Sequence, residues 1–261
     1  MMNSEIVQNI TNKLHQTEVG YQVKIPLAIE SGSRGWGFAA TNADYDCRFL
    51  YANNKDWYLS VFEKKDFIEY AADEVYDIRG YDITRALKDI ASSKAYIYEW
   101  LSSNVVYIRD DHIVGKLREL AADFFNPIPI SYHFLGLARN MLCDITSTDE
   151  AKIKKYFYIL RPIINLNFIR QHKKMPHMEF DRNLEEVGAS SEICSAIQEL
   201  KERKLALREH DKIPQHKLLI TYFEAEIQKF EDCLREMKHE KNKNYGAVDE
   251  TFRSIIEDLW K

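Results

Sequence analysis

The sequence predicts an α+β fold, with a small mixed β-sheet flanked by helices in an N-terminal domain and an all-helical C-terminal domain. Two observations predict it. Segments with alternating or β-branched patterns crowd into the first half of the chain, and 3.6-residue periodicity dominates the second. Pro127 and Pro129 mark the strongest break, so the expected domains span residues 1–126 and 127–261. The charge also changes along the chain: residues 1–150 hold 15 basic and 22 acidic side chains, and the remainder 21 and 19. Strands ahead of helices, without βαβ alternation, exclude a doubly wound sheet.

In chain order, residues 4–16 read as a helix with Ser4 as a possible cap and Ile6, Ile10 and Leu14 on one side. Residues 23–30 form a short apolar strand that enters the glycine-rich stretch 31–37. Residues 43–52 alternate and read as a second strand, and 67–70 and 74–81 as two more. Helices follow over 83–91 and 95–101, and residues 105–108 are too short to assign. Residues 112–125 are helical again. Beyond the prolines, helices are expected at 131–145, 149–172, 191–209, 215–239 and 249–260. Residues 238–244 read as a polar link.

The chain has 261 residues, of which 45% are hydrophobic and 12% aromatic, enough for a sizeable core. No run approaches the roughly 20 apolar residues of a membrane span. The start of the chain lacks a basic region followed by an apolar run, so a cytoplasmic protein is expected. Cys47, Cys143, Cys194 and Cys233 form no CxxC pair and read as buried, reduced thiols. The eight histidines show no HExxH pattern, and Ser31 and Ser33 sit in no GxSxG element, so zinc and serine-hydrolase chemistries are disfavoured.

The chemistry concentrates in Glu30-Ser31-Gly32-Ser33-Arg34-Gly35-Trp36-Gly37, followed closely by Asp44-Tyr45-Asp46-Cys47-Arg48. Glycine after a strand permits a tight turn, and the turn amides with the Ser33 hydroxyl can bind phosphate oxygens. Asp44 and Asp46, two apart on a strand, project from one face. Paired carboxylates repel unless a cation lies between them, and a hard divalent ion with phosphate co-ligands, typically Mg2+, suits them. Arg34 and Arg48 can reach phosphates or pair with the two aspartates. The loop is neither a Walker element nor a dinucleotide fingerprint.

Gly32-Ser33-x-x-x-Gly37 followed by Asp44-x-Asp46 resembles the signature of the DNA polymerase beta nucleotidyltransferase superfamily. Further blocks, Asp77-Ile78-Arg79-Gly80-Tyr81-Asp82-Ile83 and Lys154-Lys155-Tyr156-Phe157-Tyr158-Ile159-Leu160-Arg161-Pro162, resemble its RNA ligase-associated, RNA-repair branch. Thr41-Asn42-Ala43 departs from the serine often found before the first aspartate. The resemblance implies a third carboxylate on a neighbouring strand. Asp77 lies mid-strand, facing the same way as Arg79. Asp82 precedes a helix and could be its N-cap, or could reach the site if Gly80 marks a bulge. The resemblance further implies two Mg2+ ions bridged by Asp44 and Asp46, with the third aspartate helping to deprotonate an acceptor hydroxyl.

Residues 151–178 carry seven basic side chains and no acidic one, with aromatics interleaved. In the predicted helix 149–172, Lys154, Tyr158 and Arg161 fall at i, i+4 and i+7, apart from the apolar stripe. They suit a triphosphate and a stacked base, in a cleft expected between the two domains, and Pro162 should kink the helix. Gly32, Ser33, Arg34, Lys154, Tyr158 and Arg161 are thus the expected nucleotide-binding residues. The metal ligands expected are Asp44, Asp46 and Asp77, with Asp82 the rival for the third place. The expected activity is Mg2+-dependent transfer of NMP from NTP to an acceptor hydroxyl, with an RNA end as the acceptor that the resemblance implies. Transfer to a protein or small molecule, or a silent nucleotide- or RNA-binding module, are the alternatives. The sequence does not fix the oligomeric state.

Overall fold

The computed structural model describes residues 3–39, 43–73, 75–206, 211–237 and 242–261, without the side chains of 205 and 206. Its elements run α1 (Ser4–Tyr21), β1 (Lys24–Glu30), α2 (Gly32–Gly35), β2 (Tyr45–Ala52), α3 (Lys55–Tyr58), β3 (Phe67–Glu69), β4 (Tyr76–Asp82), α4 (Ile83–Ala91), α5 (Ala95–Ser102), β5 (Val106–Arg109) and α6 (Asp111–Phe124). They continue with α7 (Pro127–Thr146), β6 (Glu150–Lys152), α8 (Ile153–His172), α9 (Phe180–Val187), α10 (Ser191–Ala206), β7 (Lys212–Pro214), α11 (Lys217–Arg235) and α12 (Tyr245–Leu259). The fold is α+β with a mixed five-stranded sheet, as the strand-then-helix order predicts. No helix among the described residues is long and apolar enough to cross a membrane.

Two compact units emerge, and neither is one continuous stretch. One comprises Met1–Gly35, Asp44–Phe125 and Lys241–Lys261, and the other Trp36–Ala43 and Asn126–Glu240. This differs from a single cut after residue 126 in two places. The C-terminal helix α12 packs on α4 and α6 of the first unit, and the segment after the glycine-rich turn belongs to the second.

In the first unit the strand order is β3-β4-β2-β1-β5. β2 pairs antiparallel with β1 and parallel with β4. The odd-numbered residues Tyr45, Cys47, Phe49 and Tyr51 of β2 bury against Ile10 and Leu14 of α1. That alternation pins the register, because a one-residue slip would turn these side chains to the other face. On that other face β2 is polar at its start, with Asp46 and Arg48, and buried at its end, with Leu50 and Ala52. Asn3 rather than Ser4 caps α1 through its side chain. The segment too short to assign is the edge strand β5, held by pairing to β1.

Among the described residues, the regular structure of the second unit is helical apart from one short ladder, β6 with β7, that periodicity does not reveal. Asn126 caps α7, and Pro127 stands at its first turn, where a missing N–H costs nothing. The prolines therefore open α7, and α6 ends just before them at Phe124. α8 runs through Pro162 without a break and is buried from Tyr156 through Ile169, save half-buried Tyr158. Of the cysteines only Cys47 is buried; Cys143 is exposed and Cys194 and Cys233 lie between. The predicted strand start at Glu74 and the helix ends at 207–209 and 238–239 lie outside the described residues.

Candidate active site

The chain around Asp46 holds it from three sides. The Ser31 N–H donates to the Asp46 carbonyl at 2.8 Å. The Asp46 N–H donates to Glu30 Oε1 at 3.2 Å. Gly32 has a φ of 58°, and a Cβ built on it would lie 2.8 Å from Asp46 Cγ and closer still to Oδ2. Glycine is thus required twice, once for the left-handed backbone and once for the carboxylate resting against its α-carbon. The turn closes as Gly35 N–H donates to the Ser31 carbonyl at 3.1 Å. Ser33 lies within this turn. Arg34 stacks its guanidinium 4.0 Å from the Tyr45 ring centre and donates from Nε to the Asp44 carbonyl at 3.1 Å.

Asp44 sits one residue before β2, exposed, and alternation puts it on the same face as Asp46 and Arg48. β4 runs parallel to β2 with unshifted pairing from Tyr45–Tyr76 to Tyr51–Asp82, so Asp77 stands directly beside Asp46. Arg48 ties the two together. Its Nη2 donates to Asp46 Oδ1 at 3.1 Å and Asp77 Oδ2 at 2.7 Å, while Nη1 donates to the carbonyls of Cys47 and Asp77. The choice left open for Arg48 in the sequence is thereby resolved toward an ion pair. Asp77 Oδ1 is buried without a hydrogen-bond partner and faces Arg79 Nε at 3.7 Å.

Asp82 is not brought to this cluster. It lies five residues along β4, roughly 16 Å on, and on the opposite face from Asp77. It is fully buried and caps α4 by accepting from Thr84 N at 2.8 Å and Thr84 Oγ1 at 2.6 Å. Its second oxygen accepts from Asn53 Nδ2 and Tyr58 OH, each at 3.0 Å. No bulge resets the strand at Gly80. Gly80 is needed because the Phe49 ring lies over it, with Cδ2 2.6 Å from where a Cβ would stand.

Burial raises the Asp46 carboxyl above the usual range, Arg48 opposes this, and Asp44 and Asp77 push it further up. Burial lifts Glu30 to about 7, against hydrogen bonds from Tyr107 and the Asp46 N–H. Among the described residues no three carboxylate, imidazole or thiol groups stand close enough together to enclose a metal ion. The donor chemistry nevertheless fits a hard divalent cation. Asp44, Asp46 and Asp77 supply only oxygen ligands, one buried oxygen of Asp77 lacks a partner, and mutual repulsion of the three carboxylates is what a cation relieves.

In the helical unit, Arg161 is buried rather than turned to solvent, with its guanidinium 4.1 Å from the Trp36 ring centre. Tyr158 meets Trp36 edge to face at 6.0 Å. These three line a cavity of about 160 Å³ with Leu137, Met141 and Pro162. Lys154 is half-buried one turn earlier on α8 and does not line it. Trp36 is held there by its carbonyl, which accepts from Phe180 N at 3.0 Å. The sequence motif includes Trp36 and Glu30 without pointing to a role for either. The available signal was the lone acid closing an otherwise apolar strand, and a large aromatic among glycines. Thr41 and Asn42, where the motif departs from its usual serine, lie outside the described residues.

The profile of the RlaP family, described as the RNA repair pathway DNA polymerase beta family, matches residues 6–254. The "Uncharacterized protein YcgL" of Bacillus subtilis (strain 168) is 35% identical over 254 residues, covering 97% of this chain and 98% of that one. A solved structure of a nucleotidyltransferase-like protein from Exiguobacterium sibiricum 255-15 aligns over 96% of this chain and 80% of its own, with 9% identity and a TM-score of 0.30. The chain belongs to the RNA repair pathway DNA polymerase beta family.

Proposed function

We propose that this protein is a divalent-metal-dependent nucleotidyltransferase that moves NMP from an NTP to a hydroxyl at an RNA end and releases pyrophosphate. The observation that carries the reading is the pairing of Asp46 and Asp77 on adjacent parallel strands, with the Asp46 carboxylate against the Gly32 turn. The RNA acceptor rests on the family and on the acid-free basic segment 151–178.

Asp44, Asp46 and Asp77 would hold Mg2+. When bound, the cation offsets the triphosphate charge and lowers the pKa of the acceptor hydroxyl. Gly32 and Ser33 bind phosphate oxygens, and Arg34 adds positive charge beside them. The acceptor oxygen forms a bond to the α-phosphorus as the α–β phosphoanhydride bond breaks, and the hydroxyl proton passes to the Asp77 carboxylate. Arg48 orients Asp46 and Asp77 before substrate arrives, because its guanidinium is anchored on two backbone carbonyls. Asp82 has no part in the chemistry and fixes the start of α4. In the helical unit, Lys154, Tyr158 and Arg161 are the proposed nucleotide-binding residues.

The test is incubation with each α-labelled NTP, Mg2+, and RNA or protein fractions in turn. Label on RNA with matching pyrophosphate release is expected. Label on protein alone would move the acceptor, and no label with any NTP would remove the activity.

A further inference from the structure

Glu30 is a fully buried ionisable group without a role in the proposed chemistry. It pairs opposite Cys47 in the β1–β2 register, so its side chain starts on the face buried with Cys47, Phe49 and α1. Asp46 projects its carboxylate from the other face. Glu30 is therefore no ligand for anything the three aspartates hold. Its two oxygens are instead occupied from within the sheet: Oε1 accepts the Asp46 N–H at 3.2 Å, and Oε2 accepts the Tyr107 hydroxyl at 2.6 Å. Tyr107 comes from edge strand β5, two strands away from Asp46.

A carboxylate in an apolar layer carries a desolvation cost that an aliphatic side chain of similar size avoids. What Glu30 provides that such a side chain lacks is an acceptor for the Asp46 N–H. On its carbonyl side Asp46 is tethered by the Ser31 N–H. With Glu30 in place the two peptide units that flank the Asp46 α-carbon are both held, one through its N–H and the other through its carbonyl, and the direction of the Asp46 side chain is fixed with them. We infer that Glu30, held by Tyr107, is a positioning residue that sets the Asp46 carboxylate for metal binding from the opposite face of the sheet. This rests on the reading of Asp46 as a metal ligand.

The experiment measures Mn2+ affinity by titration calorimetry on the full chain, beside thermal unfolding, for wild type, Glu30→Gln, Glu30→Leu and Tyr107→Phe. Glutamine keeps an oxygen for the Asp46 N–H and an amide that can donate to the Tyr107 oxygen, so its affinity should stay within about threefold of wild type. Leucine keeps volume and loses the acceptor; its affinity should fall about tenfold or more, the scale seen when groups behind metal ligands are removed. Tyr107→Phe should fall between them. A folded Glu30→Leu that binds Mn2+ like wild type overturns the inference while leaving the metal reading intact. Wild type that binds no Mn2+ overturns both. If Glu30→Leu does not fold, unchanged affinity in Tyr107→Phe overturns the inference by itself.

Discussion

Replacing Gly32 by alanine separates backbone strain from damage to the carboxylate pair, because Gly37 supplies a matched control. Gly32 and Gly37 both have positive φ, 58° and 88°. A Cβ at Gly37 meets nothing within 4 Å, whereas one at Gly32 overlaps the Asp46 carboxylate. Alanine in the left-handed region costs about 1–2 kcal/mol at either position. At Gly32 the Asp46 carboxylate must also swing away, breaking its 3.1 Å bond to Arg48. That pair is partly exposed, at 22% and 17%, so its loss adds only about 1 kcal/mol. Gly32→Ala should therefore lose about 2–3 kcal/mol and Gly37→Ala about 1–2 kcal/mol. In a chain of this size that is a melting shift of roughly 5–10 °C for the first variant and about half that for the second. The site readouts should diverge far more than stability: Mn2+ affinity and labelled-NMP transfer should collapse in Gly32→Ala and persist in Gly37→Ala. Equal metal affinity and turnover in the two variants would refute the claim that Gly32 exists to seat Asp46.

Asp44→Ala and Asp46→Ala should each abolish transfer while circular dichroism and melting stay near wild type, since neither side chain is buried in the core; turnover in either variant would remove it from the site. Asp77→Asn should lose activity at little stability cost, whereas Asp82→Ala should keep turnover and lose about 2–4 kcal/mol, through the lost cap and the donors of buried Asn53 and half-buried Tyr58 left unpaired. The reverse pattern would exchange their roles. Glu30, raised to about 7 in the fold from 4.5, binds more protons folded than unfolded between those values. Its contribution is full below about pH 4.5 and is lost as pH rises through 7, by about 3 kcal/mol in all. Wild type should thus lose stability relative to Glu30→Gln between pH 5 and pH 8, as read by urea melts, and parallel curves would contradict this. Arg161→Ala should weaken NTP binding and also lower the melting point by the equivalent of about 2 kcal/mol, because the buried guanidinium lies on Trp36. NTP affinity unchanged at fixed salt would leave Arg161 a packing residue.

Much of this was legible in the residues themselves. Alternation through β2 announces both the buried face of Tyr45, Cys47 and Phe49 and the opposite face of Asp46 and Arg48, because a strand's period is two. Parity also separates Asp77 from Asp82: five residues apart, they point to opposite faces unless a bulge intervenes, and none does. The ladder β6–β7 was not legible, because three-residue strands joined across some 60 positions leave no periodic trace. Nor was the placement of α12 with the first unit, since an amphipathic helix does not say which surface it covers. α8 was read as having a polar stripe because Lys154, Tyr158 and Arg161 share a face. The structure surrounds that helix, and a cation on its face is buried against an aromatic from a distant segment. The bridge through Arg48 and the support from Glu30 depend on cross-strand neighbours, which a sequence names only after register is known.

The central claim is that Asp44, Asp46 and Asp77 carry nucleotidyl transfer. Its most direct test is side-by-side measurement of label incorporation into RNA and of pyrophosphate release, with wild type and Asp46→Asn at matched protein, Mg2+ and NTP. The account predicts equimolar label and pyrophosphate with wild type and neither with Asp46→Asn, at equal melting temperatures. Equal incorporation by the two proteins, or pyrophosphate release without any acceptor labelled, would contradict it.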